Sequence, residues 1–245
     1  AVLGDLGSVA LSVSTMDFGD IPVTTNDSPD GTGSTFSPSF ITVGATYSKI
    51  ITDRVAVGVN AKVVSESFSN VSANAVAIDF GVQYRFQNGI SLGAVVKNIG
   101  TKMKYSGSGL RYKSNIPGAY PGSRPGVSEV TAESFEIPSY FSLSLGYKYN
   151  FNEQNSLNMA SSFINNNSFE DQLKLGMEYS FMDIFFARAG YDMYLQNTDE
   201  SIYGLTFGAG VNYSFTDGIG VSFDYAYRDV DEFPEPNHVF TVKLY

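Results

Sequence analysis

The 245-residue chain has no cysteine, no tryptophan and one histidine. Without cysteine there is no disulfide framework and no thiolate metal site. The lone His238 would have to serve as the base of any Ser-His-Asp hydrolase, and no nucleophile-elbow motif accompanies it; it reads as a residue near the rim of the last strand. No apolar run of ~18 residues occurs, so no transmembrane helix is expected. Charged residues make up only 16 % of the chain and the net charge is −10, which argues against nucleic acid and for solvated acidic loops. Glycines 204, 208 and 210 alternate along a strand instead of opening a helix, a poor pattern for a phosphate cradle. The sequence is read as non-enzymatic, with no cofactor and no metal.

What the chain has in abundance is glycine (24), phenylalanine (19) and tyrosine (16). Twelve segments alternate large apolar residues with small or polar ones, the period of a β-strand: 8–16, 39–48, 53–65, 73–86, 89–99, 138–150, 155–164, 171–181, 183–195, 201–215, 218–228 and 238–245. Most have ten or more residues, whereas strands of soluble domains usually have ~5–6. Tilted strands crossing a bilayer need ~9–11.

The two faces of these segments are sorted by chemistry. One carries the bulk, as in Val76, Ile78, Phe80 and Val82, or Leu205, Phe207, Val211 and Tyr213, and holds no charge. The other holds Lys62, Asp79, Arg85, Lys97, Lys148, Lys174, Glu178, Arg188, Asp192, Asp224, Arg228 and Lys243 among Gly, Ala, Ser, Thr and Asn. Apolar-out, polar-in segregation over twelve strands is the pattern of an antiparallel transmembrane β-barrel in the outer membrane. Connections of alternating length agree: 17–38 and 100–137 would be long external loops, and "QNG", "MD" and "TDG" short turns. Paired aromatics (Tyr84 with Phe86, Tyr147 with Tyr149, Tyr179 with Phe181, Tyr213 with Phe215) recur at the short-turn end, as in an interfacial girdle.

Two sets of residues are candidates for function. Asp79, Arg85, Lys174, Glu178, Arg188, Asp192, Asp224 and Arg228 would form a polar network in the lumen, an ion-paired lining or a guide for a ligand. The connection 100–137 is too long for passive linkage, and its Arg111, Lys113, Tyr120 and Arg124 would contact partner proteins or gate the barrel. The oxygen-rich "NDSPDG" at 26–31 lacks the ligand spacing of an EF-hand and reads as a turn cluster.

The stretches "TMDFGDIPVTT", "GTGSTFSPSFITVGATYSKIITDRVAVGVNAKVVSESFSNVSANAVAIDFGVQYRF", "GISLGAVVKNIGTKMKYSG" and "VSFDYAYRDVDEF…NHVFTVKL" resemble the PorV/PorQ family, FadL-like outer-membrane barrels of the Bacteroidetes. The resemblance implies a 14-stranded barrel, of which about 12 strands are present here. It also implies a signal peptide and a lumenal segment with the first hairpin ahead of residue 1. By the same resemblance, the protein would serve type IX protein secretion and bind secretion-system or surface proteins through external loops. The alternative is a FadL-like transporter of a small hydrophobic compound. A third reading, a soluble β-sandwich, would require the bulky face to be buried in protein.

Overall fold

The computed structural model describes residues 1–114, 118, 120, 122, 124–196, 202–215, 219–230 and 235–244. Twelve strands form one sheet, paired in chain order. They are β1 Ser8–Asp17, β2 Ser39–Thr52, β3 Val55–Phe68, β4 Val71–Arg85, β5 Ile90–Gly100 and β6 Tyr140–Asn150. The series continues with β7 Asn155–Asn166, β8 Gln172–Phe181, β9 Phe185–Tyr194, β10 Tyr203–Ser214, β11 Gly220–Val230 and β12 Asn237–Leu244. The pairing is antiparallel between β1 and β2 and from β6 through β12. Among the described residues the helical content is two three-residue turns, Gly4–Leu6 and Ser108–Leu110, and no helix is long and apolar enough to cross a membrane.

The alternation in sequence is an alternation in exposure, with the usual sign reversed. On β4, Val76, Ile78, Phe80 and Val82 are exposed, while Ala73, Ala75, Ala77 and Asp79 between them are buried. On β10, Leu205, Phe207 and Val211 are exposed and Gly210 is buried. Such a surface is stable only where its solvent is hydrocarbon, because water would penalise every exposed side chain by roughly 1.5–3 kcal/mol. The face that carries the charges is therefore the inner one.

Two departures from the sequence reading concern strand length and phase. The polar run "ESFSNVSA" reads as a long connection, but β3 and β4 continue through it and turn on Ser69 and Asn70 alone, with Ser69 in the left-handed region (φ 50°). These strands have 14 and 15 residues, more than a tilted crossing of ~9–11 needs. On β5 the outward phase changes from Leu92 to Ile99, both exposed. The cause is Asn98, whose φ of 62° displaces the strand by one residue, as a bulge does.

The chain packs as two compact units. The first comprises Ala1–Lys49, Gly58–Phe80 and Lys97–Ile137; the second comprises Ile50–Val57, Gly81–Val96 and Pro138–Tyr245. In the first, the connection after β5 folds onto the inner side of β3 and β4. Met103 is 1 % exposed against Ala73 and Ala75, with Val64, Tyr105, Phe135 and Ile137 around it. In the second, seven strands and their short turns carry aromatic pairs in ring contact: Tyr147 with Tyr149 at 6.4 Å and Tyr213 with Phe215 at 5.0 Å between centroids. Tyr84 and Phe86 meet likewise at 4.7 Å. Tyr245, at the end of the last expected strand, and the short turn at 216–218 lie outside the described residues.

Candidate functional site

Several of the charged residues singled out in the sequence form ion pairs, and these pairs run between strands. Asp79 pairs with Lys62, whose Nζ lies 2.8 Å from Oδ1, and not with Arg85. It also accepts from Asn60 Nδ2 at 3.0 Å and from the backbone N–H of Asn98 at 2.8 Å. The bulge at Asn98 thus points a backbone donor at a buried carboxylate, and the charge of Asp79 is matched in the first unit. Arg85, near the short-turn end, donates to Gln83 and stands apart from that cluster.

In the second unit Lys174 and Asp192 face each other across β8 and β9 with Nζ 2.7 Å from Oδ2. Glu178 and Arg188 face each other in the same register, and Arg188 Nε donates to Glu178 Oε2 at 2.5 Å. The guanidinium continues across β10, and Nη1 donates to Asp224 Oδ1 on β11 at 2.5 Å. Lys243 on β12 closes the chain, 3.4 Å from Asp224 Oδ2. Glycine makes this reach possible: a β-carbon at Gly210 would strike Asp224 Oδ1 and come within 2.9 Å of Arg188 Nη1. Arg228 lies over the ring of Tyr203, 4.0 Å from its centroid. Its Nε, like Oδ1 of Asp192, is a buried atom with no hydrogen-bond partner among the described residues. Beside these groups is a cavity of about 640 Å³ whose lining holds Lys174, Glu178, Arg188, Asp192, Asp224 and Arg228 together with apolar side chains such as Leu175, Phe207 and Tyr225. Lys243 and the glycines were present in the sequence pattern, but that one arginine would bridge three strands could not be read without register.

The second candidate, the connection 100–137, is an irregular hairpin. Met103–Lys104 pairs with Ser134–Phe135, and further out Arg111–Ser114 pairs with Gly126–Glu129. Gly107 (φ 142°) and Gly109 let it run close along the start of β4; a β-carbon at Gly107 would collide with the carbonyl of Asn70. Ser72 and Ser106 exchange backbone hydrogen bonds of 2.9 and 3.0 Å. Tyr105 stacks on Phe135 and donates to Glu66 Oε2 at 2.6 Å. Burial, and then this hydrogen bond, push the Tyr105 phenol up to about 12. Of the expected contact residues, Arg111 pairs with Glu129 at 3.0 Å with both more than half exposed. Lys113 sits opposite Val127 on the same hairpin, and Tyr120 and Arg124 are exposed. The hairpin tip at 115–117, 119, 121 and 123 lies outside the described residues.

The remaining expectations can be placed briefly. His238 Nδ1 lies 2.8 Å from Tyr225 Oη and the two rings stack. In the 17–38 connection, Asp17 caps the N–H of Gly19 and Asp20 accepts from Ser37 Oγ. Among the described residues no group of three or more His, Asp or Glu side chains is arranged to hold a metal ion.

An inverted antiparallel sheet with a charged inner face and ring pairs at one strand end defines an integral outer-membrane β-barrel, and the solved structures it resembles agree. The CymD monoaromatic hydrocarbon channel matches with a TM-score of 0.53 at 13 % identity, over 96 % of this chain and 77 % of that one. The Pseudomonas putida toluene transporter TodX matches with a TM-score of 0.54 at 14 % identity, over 89 % and 72 %. At such identities the likeness is one of fold, FadL-like. No curated protein matches the chain in sequence. The chain belongs to the PorP/SprF family, described as a type IX secretion system membrane protein, whose profile matches residues 42–244. The membrane location and the tie to type IX secretion implied by the resemblance stand; the PorV/PorQ label goes no further than that resemblance.

Proposed function

We propose that this protein is a non-enzymatic component of type IX secretion that holds a partner or cargo protein through the connection 100–137. The observation that carries the reading is the division of labour within that connection. Its root is fastened by Met103, Tyr105 and Phe135 against β3 and β4, while Tyr112, Tyr120, Val127 and Val130 are exposed further out. A fastened root lowers the ordering cost of binding, and exposed aromatics with basic neighbours are the residue types that anchor interfaces. The family supports the setting. The test is deletion of residues 108–134 in the cell, followed by pull-down of the secretion partners. Loss of capture with the barrel still assembled is expected; undiminished capture would end the proposal.

The rival is passage of a small hydrophobic compound, favoured by the fold of the toluene transporter and the hydrocarbon channel. The cavity of the second unit mixes Leu175, Met177, Phe207, Tyr225 and Val239 with three carboxylates and three cations, and charged groups along its wall oppose the passage of an apolar solute. Uptake of a labelled fatty acid or arene, unaffected by the loop deletion, would support the rival.

A further inference from the structure

Positive charge in the second half of the chain is confined to one surface. From residue 139 onward the sequence holds five basic residues other than His238: Lys148, Lys174, Arg188, Arg228 and Lys243. All five stand on the inner phase of β6, β8, β9, β11 and β12. Over the same residues there are fourteen carboxylates, of which only Glu178, Asp192 and Asp224 share that phase. The inner face thus carries five cations against three anions, a net +2, in a region whose connections are wholly acidic. Three of the cations are spent in ion pairs with those three anions. Lys148 and Arg228 join no ion pair among the described residues, and Arg228 lines the cavity.

The floor between the charges is built of small residues. Gly146, Ala160, Gly176, Gly190 and Thr206 lie opposite one another in register across five strands. A β-carbon at Gly176 would meet nothing nearer than 3.9 Å, and at Gly204, beside the row, nothing within 4 Å, while over Gly146 and Gly190 it would meet the hydroxyls of Ser91 and Thr206, at 2.6 and 2.7 Å, and the Leu175 carbonyl at 3.1 Å. Four inter-strand gaps make the row about 19 Å long, which about six extended residues cover. A compact anion would not use that length. Asp192 Oδ1 and Arg228 Nε, an acceptor and a donor left over at the edge of this floor, match the alternating N–H and C=O groups of a polypeptide backbone once the side chains adjust.

We propose that the inner face of the second unit, β6 to β12, is a docking surface for an acidic, extended polypeptide segment, held by the surplus charge of Lys148 and Arg228 over the glycine floor. It does not rest on the partner-binding role of the 100–137 connection, which belongs to the other unit. The test uses the full chain in detergent micelles, with folding checked by the mobility difference between unheated and boiled samples. Fluorescently labelled peptides of alternating Glu and Ser, Gln and Ser, or Lys and Ser are titrated by anisotropy at low and raised salt. The Glu peptide is expected to bind, more weakly as salt rises, and at least about tenfold more tightly than the Gln peptide. The double variant Lys148→Gln with Arg228→Gln should lose that preference. Thr206→Glu, which sets a carboxylate on the floor directly opposite Arg228, should do the same if the double variant misfolds. Equal binding of the Glu and Gln peptides, no binding at about 1 mM, full competition by free glutamate at equal carboxylate concentration, or a preference surviving in a folded variant would each overturn the proposal.

Discussion

Arg188 on β9 and Asp224 on β11 are bonded across the intervening strand, with Nη1 2.5 Å from Oδ1. The guanidinium crosses β10 where Gly210 leaves it room. A glycine that looks like a weakness in a strand is here the condition for an ion network that draws on β8, β9, β11 and β12. Gly210→Ala would set a methyl against both partners. Expected is a loss of about 1.5–3 kcal/mol, the worth of a hydrogen bond to a charged group, read as a lower urea midpoint in vesicles. Gly204→Ala, with open space around the new methyl, should leave that midpoint unchanged or raise it slightly.

Met103 is the clamp of the long connection. It is 1 % exposed, and Met103→Ala should cost the unit about 2–5 kcal/mol through the cavity it leaves. Met103→Asp should unseat the root altogether, since a buried, unpaired carboxylate is costlier than a void. Trypsin provides the readout: cleavage after Lys104, slow in the parent, becomes fast in the variant, whereas cleavage at the exposed Arg111 and Lys113 changes little.

Tyr105 makes the same root sensitive to alkali. Its folded-state pKa of about 12 stands above the ordinary value of 10.0, so the folded chain holds this proton more tightly than the unfolded one. The stability from this group is fully present below pH ~10 and is lost as pH rises toward ~12, because the unfolded state releases its proton first. The Tm difference between the parent and Tyr105→Phe should therefore shrink between those limits and be constant from pH 7 to 9.

Phe207 tests the outward face. It is 52 % exposed at the middle of β10. Phe207→Arg should cost about 2–4 kcal/mol if the site faces the bilayer midplane, while Phe207→Leu should cost little. Equilibrium unfolding from phospholipid vesicles measures both.

Much of this fold was legible in the sequence because a membrane barrel writes its two solvents into a period of two. β10 shows it plainly: Leu205, Phe207 and Val211 point one way, Gly204, Gly208 and Gly210 the other. The signal failed where that contrast faded. At "ESFSNVS" the alternation of bulk and small residues fades, so the ends of β3 and β4 beyond residues 65 and 73 read as a connection, although Glu66 there holds Tyr105 of the long connection. The charged residues of the inner face were found from their phase alone. Their partners were not, because pairing depends on register: Lys174 meets Asp192 across the hairpin rather than Glu178 four residues along its own strand. The bulge at Asn98 had no cue beyond an asparagine, a residue that tolerates the left-handed conformation.

The absence of cysteine permits the most direct test of the central claim, that the bulky face meets lipid and the glycine-rich face does not. Single cysteines introduced in turn from Leu205 to Asn212, spin-labelled in phospholipid vesicles, report access to oxygen dissolved in lipid and to a water-soluble nickel chelate. Expected are oxygen access at 205, 207, 209 and 211 and lower oxygen access, with any chelate access, at 206, 208, 210 and 212. Bulky positions closed to both reagents, as in a protein core, or open to the chelate, as on a soluble surface, would contradict it.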